Sequence, residues 1–137
     1  SLENAIAYAE KIISQAIALR DQTSGNKNRS ILKTAVDFID SHYMEEDMSL
    51  NKAANAANVS ANHFSALFSQ NMGQTFIEYL TNLRMNKAKE YLRCTSMRSS
   101  EIAGEIGYKD AHYFSYLFKK TQGMTPSDYR KAREDKA

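Results

Sequence analysis

A fifty-residue self-similarity constrains this chain more than any other feature of its sequence. Phe64-Ser-x-Leu-Phe68, Gly73, Thr75 and Tyr79 recur as Phe114-Ser-x-Leu-Phe118, Gly123, Thr125 and Tyr129, seven identities in sixteen aligned positions at an offset of 50. Upstream the offset becomes 49, pairing Ala53-Ala54 with Ile102-Ala103 and Asn58 with Gly107, so one copy carries an extra turn residue. Phased agreement of Phe, Gly and Tyr marks a repeated supersecondary unit. Each copy reads as a short helix holding a small Ala, a tight turn, and a helix whose first turn is polar. That is the layout of a helix-turn-helix. The small residue lets the two helices cross closely, and the turn needs Gly107 or Asn58 because both residue types tolerate a left-handed backbone.

The remaining punctuation extends this reading along the chain. Ser49 caps a helix through Ala57, and Ser60 caps the next, which buries Phe64, Leu67 and Phe68 and ends near Gly73. A longer helix over about residues 74–93 buries Phe76, Ile77, Leu80, Leu83, Ala88, Tyr91 and Leu92. A short helix starts at Ser99 or Ser100 and closes at Gly107. Asp110 caps one that buries Phe114, Leu117 and Phe118 up to Gly123, and Pro126 opens the last. Residues 2–20 form an amphipathic helix through Leu2, Ile6, Ala9, Ile13 and Ala16. The polar stretch 21–28 then reads as a linker, after which Ser30 caps a helix facing inward with Ile31, Ala35, Phe38, Ile39 and Tyr43. Five glycines and one proline in 137 residues disfavour an all-β chain. The expected fold is all-α: two helix-turn-helix subdomains (about 49–73 and 99–123) joined by a long connector helix within 29–137, preceded by an amphipathic N-terminal helix.

Charge and composition narrow the function. Net charge is only +2, but it is unevenly placed: residues 30–83 sum to −4 and residues 84–137 to +5. That asymmetry points to an anionic partner for the C-terminal half. No apolar run is long enough to span a membrane, and the first ten residues show no signal-peptide pattern, so a cytoplasmic protein without a membrane partner is expected. The single cysteine, Cys94, fits a reducing compartment. His42, His63, His112 and Cys94 show no metal spacing, and no Gly-x-Ser-x-Gly or phosphate loop occurs. Cys94 lies at a helix end without the paired His that would activate it as an alkyl acceptor. Neither an enzyme nor a cofactor or metal site is expected.

The segment from Ile102-Ala-Gly-Glu-Ile-Gly-Tyr-Lys-Asp-Ala-His-Tyr-Phe-Ser-Tyr-Leu-Phe-Lys-Lys to Thr125-Pro-Ser-Asp-Tyr-Arg130 carries a specific resemblance. With Arg84, Ala88 and Leu92 on the long helix, residues 30–133 resemble the DNA-binding domain of the AraC/XylS family of bacterial transcription regulators. The resemblance implies double-stranded DNA as ligand, transcriptional control that is usually activation, and contact with RNA polymerase. Gly73-Gln-Thr-Phe-Ile-Glu-Tyr-Leu80 looks like the subgroup fused to two-component receiver domains. Residues 1–28 are then a connector helix and linker from an N-terminal receiver or ligand-binding domain. The face of helix 2–20 also leaves open a homodimer or a protein-interaction module.

By the same resemblance, the first recognition helix presents Asn62, Ser65, Ala66 and Ser69 to base edges, with His63 alongside. The second presents Ala111, His112, Ser115 and Tyr116, while Lys109, Lys119 and Lys120 neutralise phosphates. Asn62 suits adenine N6/N7, and Ala or Tyr can touch a thymine methyl. Family members often carry Arg where Ala66 and Tyr116 stand here, so bidentate guanine reading is missing at both places. Residues 60–70 hold no charge at all, which leaves the first unit to hydrogen bonds, shape and its helix N-terminus. A connector over 76–93 is about 27 Å long, so the recognition helices are expected roughly 34 Å apart, one DNA turn.

Overall fold

The computed structural model describes residues 4–8 and 22–136, and every regular element among them is an α-helix. A helical turn over residues 4–8 is followed by α1 (Gln22–His42), α2 (Leu50–Ala56), α3 (Ala61–Met72) and α4 (Phe76–Cys94). After these come α5 (Ser99–Glu105), α6 (Ala111–Gln122) and α7 (Pro126–Lys136). The chain divides into two compact units. The first runs to His42 and takes in Met48–Leu83; the second comprises Tyr43–Asp47 and everything from Arg84. Helix α4 is continuous, with residues 76–83 in the first unit and 84–94 in the second.

The first unit is built around aromatic rings. Phe64, Phe68 and Phe76 are buried, with Phe64–Phe68 centroids 5.5 Å apart and Phe76 at 6.3 and 6.4 Å from the two. Each such ring contributes roughly 1.5–3 kcal/mol on leaving water. Leu32, Ala35 and Ile39 of α1 and Ala53 and Ala54 of α2 complete this core. The second unit repeats the plan with Ile102, Ala103 and Ile106 against Phe114 and Phe118, closed by Met85, Ala88 and Leu92 of α4.

The aromatic, glycine and threonine identities of the repeat have structural jobs. Tyr79 stands edge-on to Phe68 at 5.5 Å and 76°, and Tyr129 to Phe118 at 5.8 Å and 72°. Gly73 and Gly123 end α3 and α6 with φ of 71° and 84°. The Thr75 and Thr125 hydroxyl oxygens accept from the N–H of Glu78 and Asp128, each at 3.1 Å. The Glu78 carboxylate in turn accepts from the Thr75 N–H at 3.3 Å, a reciprocal cap on α4. The repeat also reaches further upstream than sequence comparison indicates. At an offset of 53, Leu32, Ala35 and Ile39 correspond to Met85, Ala88 and Leu92, and all six are buried.

The same offset pairs Asp40 with Arg93, and both meet the repeated tyrosine. Tyr79 donates its hydroxyl to Asp40 Oδ1 at 2.9 Å, whereas Arg93 Nη1 donates to the Tyr129 hydroxyl at 3.2 Å. Burial, and then the Asp40 carboxylate, push the Tyr79 hydroxyl far above its ordinary pKa. Burial also raises Tyr129, but hydrogen bonds from Arg93 and Arg133 outweigh it and leave that hydroxyl low. Asp40 is itself raised above 3.8, by burial first, with the Tyr79 hydrogen bond opposing. A raised folded-state value gives stability that is full below the unfolded pKa and lost as pH rises through the folded one. Thermal midpoints measured from acid to neutral pH should therefore favour Asp40→Asn over the parent increasingly. A difference that stayed constant across this range would contradict the burial of that carboxyl.

Three sequence expectations are corrected. The stretch 21–28, read as a linker, is helical from Gln22, and Ser30 lies inside α1 instead of capping it. Its Asn, Ser and Gly residues each disfavour a helix by under about 1 kcal/mol, and burial of Ile31, Leu32, Ala35, Val36 and Ile39 on the same helix outweighs that. Ile77 is 62% exposed because the buried stripe of α4 runs through Phe76, Tyr79, Leu80 and Leu83. Phe38, Tyr91 and Leu117 are only partly buried. The helix expected over 2–20 lies outside the described residues except for 4–8, which are helical.

Candidate nucleic-acid interface

Helices α2 and α3 form the first helix-turn-helix. The Ser49 hydroxyl accepts from the Lys52 N–H and the Ser60 hydroxyl from the His63 N–H, both at 3.2 Å, so both helices start where sequence reasoning places them. Asn58 makes the turn with φ 60°, the one non-glycine left-handed residue among those described. With Phe64, Leu67, Phe68 and Met72 turned inward, α3 leaves Asn62, His63 and Ala66 exposed and Ser65 and Ser69 half-buried. The face is polar and carries no charge.

Helices α5 and α6 form the second. The Asp110 carboxylate accepts from the N–H of His112 at 2.8 Å and of Tyr113 at 3.3 Å. Gly107 makes the turn at φ 103°, buried beneath Arg84. Beyond Phe114 and Phe118, α6 exposes His112, Tyr116, Lys119 and Lys120, with Ala111 and Ser115 half-buried beside them; Lys109 is exposed in the turn. Residues 62, 63, 65, 66 and 69 thus share α3, and 111, 112, 115, 116, 119 and 120 share α6.

Two features of the second unit escaped sequence reasoning, one on its exposed face and one beneath it. Tyr113 is 51% exposed, and its ring stacks on Tyr116 at 6.5 Å and 28°. The other ring neighbour of Tyr113 is the buried Tyr108, edge-on at 5.9 Å, and Lys120 Nζ lies 5.8 Å from the Tyr116 centroid. The spacing 113, 116, 120 is a helix-face pattern that could have disclosed it. The second is Arg84, which sequence reasoning placed on the connector without a role. It is 6% exposed; its Nε donates to Tyr43 O and its Nη2 to Glu45 O, both at 2.8 Å, and its guanidinium lies 4.8 Å from the Tyr108 centroid. Arg84 is a basic residue held by the fold, with no part in the exposed face. Arg130 donates to the Leu92 and Thr95 carbonyls at 3.1 Å each, closing the C-terminus of α4.

Among the described residues, no group of His, Cys, Asp and Glu is arranged to hold a metal ion, and no helix is long and apolar enough to cross a membrane. Two capped helices with exposed polar faces, each crossing a short helix after a left-handed turn residue, define a protein with two helix-turn-helix elements. Residues 53–132 match the helix-turn-helix domain family. The chain belongs to the AraC-type helix-turn-helix transcription regulators. The C-terminal domain of AraT, a response regulator from Geobacillus stearothermophilus, is 40% identical with a TM-score of 0.74, covering 75% of this chain and 85% of that one. The lactose operon transcription activator of Staphylococcus xylosus is 36% identical over 99 residues, 72% of this chain and 35% of the relative. The uncharacterized transcriptional regulatory protein YesN of Bacillus subtilis is 32% identical over 126 residues, 90% of this chain and 29% of its own length. The chain spans 12% to 38% of the length of the first curated relatives it matches.

Proposed function

We propose that this chain is the DNA-binding output part of a transcription activator, with α3 and α6 as recognition helices that enter adjacent major grooves. The observation that carries the reading is the pair of capped, polar-faced helices on a duplicated scaffold. Asn62, Ser65, Ala66 and Ser69, with His63, serve the first half-site; Ala111, His112, Ser115 and Tyr116 serve the second. Lys109, Lys119 and Lys120 neutralise phosphates. The reading involves binding alone, with no catalytic step. In this reading the signal comes from an N-terminal receiver or ligand-binding domain, RNA polymerase is the cytoplasmic partner, and the amphipathic sequence 2–20 is left for a homodimer or another protein contact. The similarity to a response regulator's C-terminal domain and to an operon activator supports this assignment.

Selection from random duplexes should return two half-sites about one helical turn apart. On the selected duplex, Lys119→Ala should weaken specific and scrambled DNA alike and lower the log–log salt slope by about 1. Asn62→Ala should cost about 1–3 kcal/mol on the selected site only, relax one base position and leave the salt slope unchanged. Equal loss on both duplexes for Asn62→Ala, with no change for Lys119→Ala, would refute the assignment of both helices.

A further inference from the structure

The exposed tyrosine pair on α6 carries an inference that rests on the recognition-helix reading and makes it more specific. Arg84, Tyr108, Tyr113, Tyr116 and Lys120 form an unbroken series of ring contacts from the buried guanidinium to the solvent face of the helix. Tyr108 is 9% exposed and packs on Phe114 at 6.1 Å, so the inner end of the series is fixed in the core. Tyr116 at the outer end is 58% exposed yet flanked by Tyr113 on one side and Lys120 on the other. These two neighbours narrow the positions open to the ring, which lowers the entropy cost of using it in a contact.

A charged or amide side chain at this place would exchange hydrogen bonds with purine edges. Tyr116 instead offers the flank of an aromatic ring, and the apolar group a major groove presents is the C5-methyl of thymine. The tyrosine hydroxyl could alternatively donate to a phosphate, an interaction blind to sequence. The held ring favours the first, since an exposed hydroxyl on its own would need no second aromatic ring stacked behind it. We propose that Tyr116, positioned by Tyr113, is a specificity-determining residue that reads the 5-methyl group of a pyrimidine in the second half-site.

The experiment uses the whole chain and its selected duplex, with each thymine of that half-site replaced singly by uracil, which removes only the methyl. One substitution should weaken binding by roughly fourfold, the worth of one buried methyl. Tyr116→Phe should keep that discrimination, Tyr116→Ala should abolish it, and Tyr113→Ala should reduce it while the salt slope stays constant. The proposal is overturned if no uracil substitution matters, or if the uracil penalty survives in Tyr116→Ala. Loss of binding in Tyr116→Phe on specific and scrambled duplexes alike would also overturn it, in favour of a phosphate contact. Failure of the unmodified chain to bind any duplex is a different result and would defeat the recognition-helix reading itself.

Discussion

Gly107→Ala should destabilise the second unit by about 2–5 kcal/mol, and Gly123→Ala by only about 1–2 kcal/mol, although both glycines have positive φ. At Gly123 (φ 84°) an added Cβ meets nothing within 4 Å, so the cost is the left-handed backbone alone. At Gly107 (φ 103°) the same atom would lie 2.8 Å from Arg84 Nη2 and 3.0 Å from the Met44 carbonyl. The guanidinium cannot withdraw freely, because two of its donors are committed to the Tyr43 and Glu45 carbonyls. Backbone strain and steric overlap therefore add at one turn and not at the other. Urea denaturation of the two variants measures the difference. Equal losses would mean that the turn beneath Arg84 opens easily and that the bonds from Arg84 to the Tyr43 and Glu45 carbonyls do not hold the guanidinium in place.

Arg84→Met should cost about 2–4 kcal/mol, because it preserves the aliphatic stem and removes the donors that two inward carbonyls depend on. Arg84→Lys should recover only part of this, since one ammonium cannot reproduce a forked pair of donors. Neither variant should alter the salt slope of DNA binding under conditions where the chain remains folded. That separates Arg84 from Lys119, although both are basic residues of the C-terminal half. Calorimetric midpoints and titrations at several salt concentrations supply both readouts. A salt slope that fell in Arg84→Met would place this residue on the phosphate backbone and reverse its assignment.

Much of the architecture was legible because its punctuation is local. Ser49, Ser60 and Asp110 cap with their own side chains, Asn58, Gly73, Gly107 and Gly123 adopt positive φ, and Phe64, Phe68, Phe114 and Phe118 are fully buried. Those effects act within a few residues and leave a pattern in the sequence. The start of α1 was misread for the opposite reason: Gln22–Asn28 is locally poor in helix formers, and packing much later in the helix decides its state. The deeper half of the repeat was hidden because the offset drifts from 49 to 53 and Leu32–Met85 and Ile39–Leu92 are substitutions that keep burial without identity. On the candidate interface, the polar faces of α3 and α6 followed from the Phe–Leu–Phe stripe. The Tyr113–Tyr116 stack was overlooked, although residues 113, 116 and 120 share one helix face, because the contact between the two rings depends on side-chain rotamers that spacing alone does not give.

With α3 and α6 as the recognition helices proposed above, the absence of charge on α3 divides the work of finding an operator in time. Lys109, Lys119 and Lys120 beside and on α6 then supply attraction that reaches beyond contact distance, so the rate of encounter and any sliding along DNA respond steeply to ionic strength. Helix α3 adds nothing to that search, since hydroxyl, amide and methyl groups act only at contact distance. Once the register is right, its contacts lengthen residence on the correct site by an amount that salt barely changes. Raising the ionic strength thus shortens the time spent on irrelevant DNA more than it shortens the discriminating part of the dwell, and selectivity improves as overall affinity falls.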